Sequence, residues 1–347
     1  MSSDLTTHYL GLELKSPIIV GSCPLTIEPE LVRQLIDAGA GAVVLPSVLE
    51  EQIVYARMKY DDPLAAIEKS GYQPQHDKYN GGVENYLRTI RHLKANYPVP
   101  IFGSINGGIS GDWIHYTKEI EDSGADGLEI NWQPVVATPE QTADQVEEQL
   151  CEIVRRTRDL INIPIAVKLN QQFTNLSSIA HKLQNAGADG LVLFTHMPHW
   201  DVCIERMHWT IRWELSPVDS IGRILEGIVR TRTGGLDLSI AASGGVRSSE
   251  DAIKSMIAGA DAAMVTSEIY REGPNAVHRI VEGIRWYLDT SPFRSLQELK
   301  SARPSVDFTS ERRMRLEYVD PLTRSDHYID PTPVPVREVG DAYGHKY

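Results

Sequence analysis

Cysteine is scarce in this chain: Cys23, Cys151 and Cys203 stand far apart, and no C-x-x-C pair occurs among 347 residues. That spacing excludes a disulfide framework, a cysteine-held iron–sulfur cluster and a structural zinc, so no metal site is expected. No run of about 18 apolar residues is present to cross a bilayer, so no membrane partner is expected. The opening MSSDLTTHYLGLELKSP is neither basic then apolar, as an export signal is, nor arginine-rich, as a transit peptide is. A cytoplasmic location follows as the expectation. Positive charge is also in short supply. Lysine and arginine total 34 against 47 acidic residues, a formal net charge of −13, and the one basic run is SERRMRLEY. A nucleic-acid partner would need a basic face, and none is expected here. No G-x-G-x-x-G follows an apolar strand run, which excludes a dedicated NAD domain.

What is present is alternation. Short apolar, β-branched runs recur: SPIIVGS, GAVVLPS, VPIFGSIN, GLEINW, PIAVKLN, GLVLFTH, LSIAASGG and AAMVTSE. They are apolar on both faces, as buried parallel strands are. Between them lie stretches with apolar residues three and four apart, such as TADQVEEQLCEIVRRTRDL and SSEDAIKSMIAGA, as in amphipathic helices. Four of these end in nearly the same words, DAGAGAVVL, DSGADGLEI, NAGADGLVL and IAGADAAMV, with glycine placed to cap the helix and the next strand close behind. A doubly wound open sheet would also alternate strand and helix. Eight regular units over about 280 residues favour an α/β fold of the (β/α)8 TIM-barrel type. The barrel is expected over residues 1–290. Residues 291–347, rich in Pro, Asp and Arg, are expected to form a C-terminal extension lying on the barrel or on a partner subunit, or else a disordered terminus.

In such barrels reactive groups come from the C-terminal ends of the strands. Those ends carry Ser22 and Cys23, Pro46 and Ser47, Asn106, Asn131, Lys168 and Asn170, Thr195 and His196, Ser243 with Gly244 and Gly245, and Thr266 with Ser267. Gly244 and Gly245, next to the helix that begins around Ser248 and beside Thr266 and Ser267, have the makings of a phosphate site. Lys168 ends a buried run and must find a partner or face the barrel mouth, because an unpaired buried ammonium is costly. It could form a Schiff base, hold a carboxylate or set positive charge against an electron-rich cofactor. Asn106 and Asn131 would add hydrogen bonds to something planar and polar.

Together, LGLELKSPIIVGS, PIFGSINGGISGDWIHYTKEIEDSGADGLEINW, PIAVKLN and AASGGVRSSEDAIKSMIAGADAAMVTSEIYREGP resemble the dihydroorotate dehydrogenase family of flavin mononucleotide (FMN) barrels. Class 1 and a dihydroorotate dehydrogenase-like subgroup are most similar. By this resemblance Gly244, Gly245, Thr266 and Ser267 hold the FMN phosphate, and Lys168 sits at the N1/O2 edge of the flavin to stabilise charge on its reduced form. The resemblance also makes Ser22, Ser47, Asn106, Asn131, Thr195 and Ser243 cofactor contacts, and Asn80 and Asn131 substrate contacts. It implies a homodimer.

The departures from the family pattern concern its chemistry. Pro46 stands near the family's strand 2 lysine, and the loop after strand 4 reads NWQPVVATPEQ, with Pro134 near the usual Cys or Ser base and Thr138 its only hydroxyl. LFTHMPHWD replaces the paired asparagines after strand 6, and ELSPVDS a glycine-rich phosphate contact. The expectation is an FMN-dependent oxidoreductase of the CH–CH type acting on a small cyclic or unsaturated metabolite other than dihydroorotate. His196 and His199, together with Lys168, are the expected catalytic residues, since imidazole exchanges protons near neutrality. The alternatives are a flavin-binding accessory subunit without its own dehydrogenation, and an aldolase-like barrel with an imine on Lys168.

Overall fold

A computed structural model describes residues 3–108, 111, 113–134, 138–217, 220–233, 235–304 and 311–323. Eight parallel strands are β1 (Ile18–Val20), β2 (Ala42–Val44), β3 (Ile101–Gly107), β4 (Gly127–Trp132), β5 (Ile165–Leu169), β6 (Gly190–Leu193), β7 (Ser239–Ala242) and β8 (Ala262–Val265). Each pairs with its neighbours in sequence, β8 pairs with β1, and β2 with β3 closes the ring. The fold is the expected TIM barrel. Helices Pro29–Asp37, Gly82–Asn96, Tyr116–Asp122, Ala143–Leu160, Leu176–Ala186, Ile221–Thr233, Ser249–Ala258 and Pro274–Thr290 follow the strands in turn.

Side-chain alternation along each strand separates two cores. Leu128 and Ile130 of β4, and Val167 and Leu169 of β5, join the outer core under the helices. Ile19, Val44, Phe102, Val192, Ala241 and Met264 fill the barrel interior. Tyr9, Leu10 and Leu14 of the N-terminal hairpin (Thr7–Tyr9 paired with Leu12–Leu14) enter the same inner core and plug one end. Glu129 and Lys168 share the parity of the inward set, so they face the interior as charged residues.

The repeated helix-to-strand words build one device. Gly39, Gly124, Gly187 and Gly259 all carry positive φ. In three repeats the following aspartate receives an amide from the start of the preceding strand: Asp126 from Ile101, Asp189 from Ile165 and Asp261 from Ile240. Each also pairs with a base from the preceding helix, Lys94 at 2.7 Å, Arg158 at 2.9 Å and Arg232 at 2.5 Å. In the first repeat Gly41 occupies this place, and a Cβ there would fall on the Ser16 carbonyl.

The larger additions to the regular pattern are two. Helices Glu50–Met58, Pro63–Ser70 and His76–Asn80 lie between β2 and its barrel helix. An antiparallel hairpin, His199–Cys203 with His208–Arg212, follows β6. The compact barrel unit runs to Arg303, so residues 291–303, which the sequence reading assigns to the extension, are part of it. There Lys300 pairs with Asp261 at 3.1 Å, and Arg303 donates to the Met256 and Ala260 carbonyls. The second unit, Pro304–Tyr347, contains the helix Glu311–Thr323. The expectations for residues 305–310 and 324–347 fall outside the described residues. No helix among the described residues is long and apolar enough to cross a membrane.

Candidate active site

The C-terminal ends of the strands surround a cavity of about 610 Å³. Ser22, Ser47, Asn106, Asn131, Lys168, Thr195, Ser243, Gly244, Gly245, Thr266 and Ser267 all line it, and so does His196. Strand ends converge at one mouth because every strand runs the same way, so residues from distant parts of the sequence become neighbours.

On the β4–β5 side, Lys168 lies beside Asn131 in strand register, and its Nζ is 3.2 Å from Glu129 Oε1. Glu129 is 2% exposed and Lys168 8%. The second Glu129 oxygen has no hydrogen-bond partner among the described residues, so the ammonium supplies this carboxylate's compensation. Of the three roles open to Lys168, holding a carboxylate is one it performs. Asn131 Oδ1 accepts from Thr195 Oγ1 and Gln133 Nε2, both at 3.3 Å, which leaves the Asn131 amide nitrogen as its remaining donor.

On the β7–β8 side, Gly244 and Gly245 take φ of 89° and 106°, and a Cβ on Gly245 would fall on Ser220 Oγ. Across the seam, a Cβ on Gly21 would fall on Thr266 Oγ1. The helix around Ser248 contributes less than its sequence suggests. Asp251 accepts from the amides of Arg247 and Ser248, while Ser248 Oγ accepts from Asp251 N, so the capping box uses these groups. Gly244, Gly245, Thr266 and Ser267 form the cradle-like corner of the cavity next to that helix end. Glu268 braces it from behind, receiving Arg247 Nε at 2.8 Å and a further bond from Arg271. Ser267 Oγ accepts from Ser216 N at 3.0 Å, which fastens the loop after β6 to the same corner.

The family comparison bears on this geometry. A family model described as Dihydroorotate dehydrogenase matches residues 4–288. The chain belongs to the dihydroorotate dehydrogenase family. It is 25% identical over 298 residues to the "Dihydroorotate dehydrogenase B (NAD(+)), catalytic subunit" of Pyrococcus abyssi, covering 85% of this chain and 97% of that protein. The protein of the same description from Caldicellulosiruptor bescii is 26% identical over 307 residues, covering 85% of this chain and 98% of its own. Enzymes of the dihydroorotate dehydrogenase family are FMN-dependent oxidoreductases acting on CH–CH bonds. The residues present fit that cofactor: a Cβ-free corner suits a phosphate, and a buried cation suits the electron-rich edge of a flavin.

Two residues expected near the chemistry lie elsewhere. His199 is exposed on the hairpin and does not line the cavity, although its ring is 6.3 Å from that of His196. Asn80 is fully buried behind the wall, donating to the Ser47 carbonyl at 2.8 Å and to Gln52 at 2.7 Å. Thr138 is exposed and bonded to Glu140, outside the cavity. Ser47 lines the cavity with its hydroxyl already shared with Ser104 at 2.8 Å. Conversely, Tyr79, Tyr270 and Ser216 line the cavity, and Glu129 holds Lys168, without having been singled out in the sequence. Burial pushes the Cys23 thiol above its ordinary pKa, so Cys23 stays neutral there.

Proposed function

We propose that the substrate of this FMN-dependent oxidoreductase is a small cyclic or unsaturated metabolite other than dihydroorotate. The observation that carries the reading is the strand 4 wall. After Asn131 the chain continues Trp132, Gln133, Pro134, and the loop's one hydroxyl, Thr138, is bonded to Glu140 away from the cavity. A proton-abstracting thiol or hydroxyl is therefore absent from that wall among the described residues. Strand 2 supplies buried Pro46 and the hydrogen-bonded Ser47, without a lysine.

His196 is the histidine suited to act in this cavity. Its Nε2 meets the Glu214 carbonyl, which can only accept, so the neutral ring offers Nδ1 as an acceptor to a bound substrate. Trp213 packs edge-on against it at 5.2 Å. The purified protein should carry flavin absorbance and give no turnover with dihydroorotate under anaerobic assay. Measurable oxidation of dihydroorotate overturns the substrate reading. A protein that neither retains nor rebinds FMN overturns its foundation.

The hairpin supports a homodimer. Trp200, Trp209 and Trp213 are each about two-thirds exposed beside the mouth, and Ile204 and Met207 extend the apolar surface. A second copy of the chain is the occupant we assign to this surface.

A further inference from the structure

A CH–CH oxidoreduction moves hydride between a carbon and the flavin, and the protein has to supply or remove a proton at the neighbouring carbon. The strand 4 loop offers no group for this among the described residues, but the wall beside β1 and β2 does. Tyr79 projects into the cavity from the short helix His76–Asn80, with the Ser22 hydroxyl and the Ser47 backbone as hydrogen-bonding neighbours. That helix is firmly mounted. Asn80 ties it to the Ser47 carbonyl and Gln52, and Asp77 receives Gln52 Nε2 and the Tyr72 hydroxyl, each at 2.8 Å. The phenol also faces the site from the β1–β2 side, while His196 comes from β6, across an eight-stranded ring.

We propose that Tyr79 is the proton donor to substrate carbon, and that the substrate class is a conjugated carbonyl compound whose C=C bond this protein reduces. The inference rests on the FMN reading above. Burial, with the neighbouring Cys23 adding to it, pushes Tyr79 up to about 12 against the opposing hydrogen bonds from Ser47 and Ser22. Such a phenol is protonated at neutral pH. It can therefore give a proton to a substrate carbon, the role that the reductive step assigns to it. In the step, the β carbon receives hydride from reduced flavin and forms a C–H bond. The π pair shifts to the α carbon, which takes the phenolic proton as the O–H bond breaks. The phenolate regains a proton from water. The flavin, oxidised in the exchange, is reduced again by a two-electron donor of the reduced-nicotinamide class. The Asn131 amide N–H is the donor available to the substrate carbonyl oxygen, because its Oδ1 is occupied by Thr195 and Gln133.

The test uses FMN-loaded protein reduced anaerobically with dithionite, then mixed with 2-cyclohexenone or cinnamaldehyde in D2O. Flavin absorbance should return and the product should carry deuterium at the α carbon. Tyr79→Phe should slow this at least about 100-fold, while ferricyanide reoxidises both proteins equally. The wild-type rate should stay level from about pH 6 to 10, whereas an imidazolium donor of pKa about 6.5 would fade through neutrality. A readout independent of turnover is tyrosinate absorbance at 295 nm, which should not differ between wild type and Tyr79→Phe below about pH 10. Equal rates in the two proteins, a wild-type rate that falls through neutrality, an early tyrosinate difference, or no reoxidation by either compound overturns the proposal. Absence of bound flavin is the separate failure of the underlying reading. Should Tyr79→Phe not retain FMN, the wild-type pH profile alone decides.

Discussion

Lys168 Nζ stands 3.2 Å from Glu129 Oε1 inside the barrel, and Glu129 has no other hydrogen-bond partner among the described residues. Removing one member strands the other in a medium that solvates charge poorly. Lys168→Met should destabilise the fold by about 3–5 kcal/mol, while Lys168→Met with Glu129→Leu should recover much of that loss. Urea unfolding of the two variants checks this. A double variant no more stable than the single one contradicts it.

Gly245 sits at φ 106°, and a Cβ there would meet Ser220 Oγ. Gly245→Ala should cost about 1–2 kcal/mol in backbone strain alone. FMN affinity should drop tenfold or more, read by fluorescence of released flavin. A melting temperature and FMN affinity equal to wild type would refute the cradle.

Glu268 links the cradle to pH. Burial by itself would raise its pKa, but hydrogen bonds from Arg247 and Arg271 outweigh burial and hold it below the ordinary 4.5. The carboxylate therefore contributes stability that is fully present above 4.5 and lost as pH falls through the depressed folded value. The melting temperature should decline on acidification below about pH 4.5. Glu268→Gln should already lack that contribution at pH 7 and show a shallower acid slope.

The hairpin predicts assembly. Trp200→Glu with Trp209→Glu should convert a dimer to a monomer in sedimentation velocity, because each places charge on a surface that a partner must desolvate. A wild-type protein that sediments as a monomer contradicts the homodimer.

The barrel was legible because a buried parallel strand must be apolar on both faces and four of the helices end at a glycine of positive φ. Strand ends locate a cavity wall, so Lys168, Asn131, Gly244 and Thr266 could be picked without coordinates. The hairpin was not legible. Its turn, Ile204–Met207, contains no glycine or asparagine, and Met207 itself adopts φ 48°. His196 and His199 look equivalent as text, yet only His196 precedes the hairpin and faces the cavity. Tyr79 and Asn80 show the same limit: in a five-residue helix spacing cannot tell which neighbour turns inward. Glu129 is recognisable only from strand parity, once Leu128 and Ile130 are known to face the helices.

The plug made by Tyr9, Leu10 and Leu14 bears on kinetics as well as stability. With that end of the barrel filled, a molecule reaching the flavin from the mouth has to leave by the same mouth. The compound that loads electrons and the compound that collects them would then compete for one place. Turnover should alternate between two half-reactions, each product departing before the next reactant enters. Initial rates against either reactant should give parallel double-reciprocal lines.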